Sequence, residues 1–282
     1  MYKNTTLLVS YILLSLSFLS CGLKRENYAN PTGYNFQKPF QYKLPLELDE
    51  ISGLAFYKKD TSVFAVNDEA GWLYKLNLTT GKDIRRWKFS SGADFEDLVL
   101  LDSNFYVLQS NGNIIKIAIQ KDGTLGTKDF PFPFGQDNEF EILYYDSFRN
   151  KLILICKDCE TDKKKSLTTF SFDPQSGQFS DSSFSIDVKE IATTLKMDKL
   201  RFKPSAAAIN PADSMLYIVS SVNKLLVITD KDGKFKKVYR INPSLFKQPE
   251  GITFTPSGSL IISNESGGVG VADILIFSNG KI

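Results

Sequence analysis

Acidic residues recur at matching positions of a repeated pattern and could together bind a cation. Five segments can be aligned on one another, and three of them begin with a glutamate at position 96, 141 or 250. A second set of aligned positions follows the next apolar segment and adds three further carboxylates. Calcium takes about six to eight oxygen ligands from carboxylates, amides, carbonyls and water. The candidate metal ligands are therefore Glu96, Glu141, Glu250, Asp68, Glu69 and Glu265.

The identity of the cation follows from the ligand types in the chain. The sequence contains no histidine, and transition metals in proteins normally recruit His or Cys. Calcium is the expected ion and magnesium is its main competitor. The structural alternative is that several of these carboxylates cap backbone amides between neighbouring elements or point into solvent.

The absence of histidine also limits the catalysis open to this protein. Ser-His-Asp and Cys-His mechanisms and His-ligated zinc are excluded within the chain. Lys and Arg number 34 against 32 acidic residues, and a net charge of +2 argues against a nucleic-acid partner. Cys156 and Cys159 are too few for a zinc site, and they are either free thiols or a small local disulfide.

The first 40 residues predict export and anchoring rather than a folded unit. Lys3 precedes an apolar run from 7 to 19, and Cys21 follows it, as in a bacterial lipoprotein signal. We expect a signal peptide over residues 1–20, and a lipidated Cys21 with a flexible tether over 21–40. The protein would then be attached through its lipid to the cell envelope, at the outer membrane. An ordinary signal peptide with an accidental cysteine is the alternative.

The elements that position the carboxylates repeat along residues 41–282. The aligned segments begin at 52, 96, 141, 205 and 250, which gives spacings of 44, 45, 64 and 45. Each is followed by further short apolar strands and Gly-containing turns. About four strands in a period near 45 residues are typical of a β-propeller blade. The sequence predicts an all-β, five-bladed propeller of four-stranded antiparallel blades.

Two irregularities bear on the number of blades. The long spacing contains a helical stripe over 187–197, which predicts a helical insertion, whereas a degenerate sixth blade is the less favoured alternative. The last repeat has room for only three strands. We expect residues 40–46 to supply its fourth strand and so close the ring.

This architecture would bring the two acidic sets together. The innermost strand of a blade starts at the same rim at which its antiparallel neighbour ends. The six carboxylates would crowd one mouth of the central channel, with Lys157 as the balancing charge at these positions.

The chain resembles the SdiA-regulated (YjiK-like) family of bacterial β-propeller lipoproteins from about residue 42 to the end. The resemblance rests on Glu50-Ile51-Ser52-Gly53-Leu54, the segment 67–74 (NDEAGWLY), Asp94-Phe95-Glu96-Asp97-Leu98 and Pro249-Glu250-Gly251-Ile252. It implies a five-bladed propeller with a calcium site and no securely established activity.

Two classes of function remain open from the sequence. The first is an envelope-anchored, calcium-binding propeller that binds or scaffolds a protein or small-molecule ligand at its rim. The second is a calcium-dependent phosphoester hydrolase of the phytase-like kind, in which Lys157 and Lys203 could face the substrate phosphate. A lactonase or esterase is a third and weaker possibility, because histidine is missing. Whether the protein is an enzyme is undecided at this point.

Overall fold

Short strands, many of them buried along their whole length, dominate the computed structural model of the chain. The structure describes residues 28–79, 84–135, 138–159, 162, 165–181, 183–268 and 270–280. The predicted signal peptide and Cys21 lie outside these residues. Within the described part of the chain, no helix is long and apolar enough to cross a membrane.

In the described part of the chain, twenty-one strands, β1 to β21, form five antiparallel sheets. Blade 1 comprises β2 (Ile51–Tyr57), β3 (Ser62–Asn67), β4 (Trp72–Asn77) and β5 (Ile84–Lys88). Blade 2 comprises β6 (Phe95–Leu101), β7 (Asn104–Gln109), β8 (Ile114–Ile119) and β9 (Leu125–Phe130). Blade 3 comprises β10 (Asn138–Asp146), β11 (Lys151–Cys159), β12 (Ser166–Asp173) and β13 (Gln178–Ser180), and β14 (Ser185–Asp187) also pairs with β12.

The remaining strands build the last two blades. Blade 4 comprises β15 (Ala206–Ile209), β16 (Leu216–Ser220), β17 (Leu225–Thr229) and β18 (Phe235–Arg240). Blade 5 comprises β19 (Pro249–Phe254), β20 (Leu260–Asn264), β21 (Asp273–Phe277) and, from the N-terminal side, β1 (Phe40–Lys43). The innermost strands contact one another in the order β2, β6, β10, β15, β19 and back to β2. The predicted five-bladed propeller is confirmed.

The hydrophobic core lies between the blades. Successive side chains of a strand point to opposite faces of the sheet, so each blade packs against both neighbours. In β3, Val63 and Ala65 join a cluster with Ile274 of blade 5, whereas Phe64 and Val66 join a cluster with blade 2. Because β3 is buried on both faces, its successive residues from Val63 to Val66 are all apolar.

The N-terminal segment closes the ring, as predicted. β1 pairs antiparallel with β21 from Phe40↔Ile276 to Lys43↔Asp273. A 3₁₀ helix over Leu46–Leu48 then leads to β2.

Residues just before β1 also pack on the propeller, although the sequence pattern predicts a flexible tether over residues 21–40. Tyr34 and Phe36 are buried, and the Tyr34 hydroxyl donates to Gly258 O at 2.6 Å. The Phe36 ring lies 4.6 Å from the ring of Phe277. The segment from Tyr34 onward is therefore part of the packed core.

The long spacing between the third and fourth repeats contains a helix and not a sixth blade. Helix α1 spans Val188–Thr194, and the Asp187 side chain caps it by accepting from Lys189 N at 2.7 Å. Val188 and Ile191 face the core between blades 3 and 4. The predicted helical insertion is confirmed.

Candidate functional site

β-Bulges at the start of three innermost strands position the aligned glutamates. The ladder of β6 with β7 shifts between Phe95 and Asp97, which leaves Glu96 as the extra residue. The same shift isolates Glu141 in β10 and Glu250 in β19. A bulge kinks its strand and re-aims the side chain of the extra residue. All three glutamates consequently stand at the same mouth of the central channel, which we call the acidic mouth.

Backbone hydrogen bonds bring the second set of positions to this mouth. Asp68 N donates to Glu50 O at 3.1 Å, and Glu265 N donates to Gln248 O at 2.9 Å. The end of each second strand thus lies beside the start of the innermost strand, as the sequence alignment required. Asp68 and Glu265 are half-buried, whereas Glu69 is exposed.

Electrostatic repulsion links the three glutamates at the bulges. Burial, followed by the charges of Glu141 and Asp94, raises the pKa of Glu96 to about 9. Burial, followed by Glu141 and Glu265, raises the pKa of Glu250 to about 8. These shifts show that the cluster strongly disfavours simultaneous ionisation of its carboxyl groups without a compensating cation.

A second group of carboxylates lies where blade 5 meets blade 1. Burial, followed by the charges of Glu50, Glu265 and Glu69, raises the pKa of Asp68 to about 7. Burial and then Glu50 also raise the pKa of Glu265. Glu250 interacts with Glu141 on one side and with Glu265 on the other, so it connects the two groups.

Three acidic residues of this region were not among the predicted ligands. Glu50 and Asp94 each lie two residues before an aligned first position, at Ser52 and Glu96, and Glu139 lies in β10 beside Lys157. In the sequence, Glu50 and Asp94 stand out only as parts of the family-like motifs. Their recurrence two residues before the aligned positions was the signal available to find them.

Lys157 is the basic residue that balances part of this charge. Its ammonium group pairs with Glu141 and lies 2.9 Å from Glu139 Oε1. Burial alone would lower the pKa of Lys157, but the charges of Glu141 and Glu139 outweigh it and raise that pKa. Lys203, the other predicted phosphate ligand, lies 3.8 Å from an Asp158 carboxylate oxygen.

A disulfide joins two residues on either side of Lys157 at the end of β11. The structure joins Cys156 to Cys159, which is one of the two states that the sequence left open. The Asp162 carboxylate lies within 4.8 Å of both sulfurs. Because both sulfurs are in the disulfide, they are not thiolate ligands for a metal.

The donor atoms at the acidic mouth are of the type that calcium binds, although the group of described ligand atoms that lie within 4.8 Å of one another is Cys156, Cys159 and Asp162 and not these carboxylates. The donor set at the mouth consists of carboxylate oxygens, which are among the ligands that this ion prefers. Asp68 Oδ1 is buried and has no hydrogen-bond donor among the described residues. An orphaned buried carboxylate oxygen of this kind is satisfied when a cation binds it.

The fold and the site together define a five-bladed β-propeller with an acidic channel mouth. The family model described as SdiA-regulated matches residues 33–267. The chain therefore belongs to the SdiA-regulated family, as the sequence motifs had suggested. No curated protein matches the sequence.

Solved structures with similar folds share little sequence with this chain. Glutaminyl cyclase from Myxococcus xanthus is 15% identical with a TM-score of 0.57, and the alignment covers 84% of this chain and 93% of that chain. A luciferin-regenerating enzyme is 10% identical with a TM-score of 0.52 and coverages of 86% and 96%. Regucalcin from Agrobacterium tumefaciens str. C58, named a calcium-binding protein, is 12% identical with a TM-score of 0.50 and coverages of 90% and 96%. These similarities establish the fold alone.

Proposed function

We propose that this protein is an envelope-anchored, calcium-binding propeller that acts as a binding or scaffolding module. The observation that carries the proposal is the convergence of Glu96, Glu141 and Glu250 at one mouth, on three equivalent bulges. The calcium ion would cross-link blades 2, 3 and 5 and stabilise the shape of the rim. Lipid attachment at Cys21 rests on the sequence pattern of residues 3–21.

Glu96, Glu141 and Glu250 would hold the ion, and the group around Asp68 and Glu265 would extend the donor set. When bound, the ion supplies positive charge that lets these carboxyl groups ionise together. The protein's own contribution is the position of the carboxylates. The bulges fix the three glutamates, and Ser221 supports Glu250 through a side-chain hydrogen bond.

The phosphoester-hydrolase hypothesis gains no supporting contact among the described residues. Such an enzyme needs cationic side chains that face the substrate phosphate. Lys157 is paired with Glu139 and Glu141, and Lys203 lies beside Asp158. We therefore develop the binding function.

Calcium titration by calorimetry tests the proposal. We expect saturable binding to the wild-type protein and no measurable binding to the Glu141→Gln, Glu250→Gln double variant. Glu190→Gln removes an exposed carboxylate from α1 and serves as the matched control, with unchanged binding. Absence of binding at millimolar calcium, or equal binding by the double variant, would overturn the proposal.

Substitution of Lys157 should strengthen calcium binding, whereas substitution of the glutamates should weaken it. Its ammonium group competes with a cation for the carboxylate of Glu141. Lys157→Gln should therefore tighten calcium binding by at least roughly fivefold, which corresponds to about 1 kcal/mol, the upper end of the range for exposed ion pairs, because this pair is largely buried. Weaker binding by this variant would show that Lys157 supports the site.

A further inference from the structure

A chamber opens at the end of the channel opposite to the acidic mouth. It has a volume of about 440 Å³ and is lined by residues from the innermost strands of all five blades. Ligand pockets typically occupy roughly 300–1,000 Å³. The chamber lies at the strand ends marked by Tyr57, Tyr145 and Phe254, whereas the acidic mouth lies at the strand starts.

Short side chains in the innermost strand of blade 4 leave space for this chamber. Two residues after the aligned first position, the other four blades carry Leu54, Leu98, Leu143 and Ile252. Blade 4 carries Ala207 there, followed by Ala208, and both alanines line the chamber. Because these side chains are short, the wall recedes on this side, and the remaining wall combines aliphatic and aromatic side chains with Thr253 and Thr255.

Two lysines and two aspartates line the chamber, and the lysines supply the positive charge for an anion. Lys58 and Lys59 stand exposed at its rim, and Lys59 Nζ lies 5.8 Å from the ring centroid of Tyr57. Asp97 also lines the chamber, but its two carboxylate oxygens accept from Leu98 N at 2.7 Å and Leu143 N at 2.8 Å. Through these hydrogen bonds the Asp97 carboxylate connects blade 2 to blade 3. Asp102 is the other acidic residue at the rim.

We propose that this chamber binds a small organic anion with an apolar, planar body. The body packs against the aliphatic and aromatic walls beside Ala208, and the anionic group pairs with Lys58 and Lys59 at the rim. This site lies at the other end of the channel from the calcium site and does not require the cation. It gives the binding module of the proposed function a specific ligand class.

Two fluorescent probes test the site on the purified protein in detergent-free buffer. The first, 1-anilinonaphthalene-8-sulfonate, has an aromatic body and an anionic group. The second, N-phenyl-1-naphthylamine, has the same body without the charge. We expect one saturable site for each probe, in calcium and in chelator alike.

Three variants separate the parts of the proposal. Ala208→Leu narrows the chamber and should weaken binding of both probes at least tenfold, since three further carbon atoms occupy the space of the probe. Lys58→Gln with Lys59→Gln should weaken the anionic probe roughly fivefold and leave the neutral probe unchanged. Lys121→Gln with Lys234→Gln, on exposed turns at the outer edges of blades 2 and 4, is the charge-matched control and should change neither.

The outcomes are distinct from those of the calcium experiment. Unchanged probe binding by a folded Ala208→Leu protein would overturn the proposed site. The site would also be overturned if the Lys58→Gln, Lys59→Gln variant weakened the binding of the anionic and the neutral probe equally. If Ala208→Leu does not fold, the lysine variants decide alone, through the difference between the two probes. Loss of calcium binding in Glu141→Gln, Glu250→Gln with intact probe binding would leave this proposal standing.

Discussion

Glu96 and Glu250 carry acid groups in surroundings that oppose their ionisation. Their pKa values of about 9 and 8 arise first from burial and then from neighbouring carboxylates. In the unfolded chain a glutamate titrates near pH 4.3, so between roughly pH 4 and 9 the folded protein binds more protons. Without calcium, folding is therefore accompanied by proton uptake in that range.

The stability of the metal-free protein should consequently fall as the pH rises from about 5 to about 8. Excess calcium should reduce or remove this fall, because the cation compensates the ionised carboxylates. Urea midpoints measured in chelator and in calcium at several pH values check the prediction. Glu96→Gln with Glu250→Gln should flatten the metal-free profile. A metal-free midpoint that increases over this range, with no effect of the double variant, would contradict it.

The sequence was sufficient to find six of these acidic residues because they recur in register with the repeats. It could not show that Glu96, Glu141 and Glu250 sit on bulges, since a bulge is a mismatch between two strands and not a residue type. Nor could it show that Glu139 shares Lys157 with Glu141. Calcium itself remains a prediction.

At the scale of the element, close approach of neighbouring innermost strands restricts residue choice. A Cβ atom added to Gly53 in β2 would lie 2.3 Å from Leu98 N and 2.6 Å from Asp97 C, both in blade 2. These are backbone atoms and cannot rotate away. The glycine after the aligned first position of blade 1 therefore permits blades 1 and 2 to meet.

Gly53→Ala should destabilise the protein by about 1–3 kcal/mol through overpacking. Gly126→Ala is the matched control, because in β9 the nearest atom is the end of the flexible Gln120 side chain at 3.0 Å. Urea unfolding of both variants measures the difference. Equal effects of the two substitutions would show that the approach of β2 to β6 relaxes at little cost.

The sequence predicted elements well where a local pattern defined them. The stripe of Val188 and Ile191 predicted α1, and turn residues with alternating apolar segments predicted the hairpins. Residues 28–39 have no such periodicity, so the burial of Tyr34 and Phe36 could not be predicted. Their burial depends on a partner surface more than 170 residues away, at Asn210 and Gly258.

At the scale of the whole molecule, the N-terminal segment closes the ring. β1 covers the edge of β21, which removes a free sheet edge. Phe36 then packs against Phe246 and Phe277, with ring centroids 5.1 and 4.6 Å away. The propeller therefore includes the segment from Tyr34 onward.

Phe36→Ala should lower the free energy of unfolding by about 3–5 kcal/mol, because it leaves a cavity among buried aromatic rings. Phe148→Ala removes a ring that is 55% exposed and should lower the free energy of unfolding far less. Chemical denaturation of both variants checks this. A shift for Phe36→Ala no larger than that for Phe148→Ala would show that the segment contributes little to closure.

The central claim is that a calcium ion binds among Glu96, Glu141 and Glu250. The most direct test is a crystal structure of the calcium-loaded protein with anomalous data that locate the ion. We predict an anomalous peak at the acidic mouth, within about 2.3–2.6 Å of carboxylate oxygens. A calcium-loaded crystal with no peak at this mouth, or with its peak only elsewhere, would contradict the account.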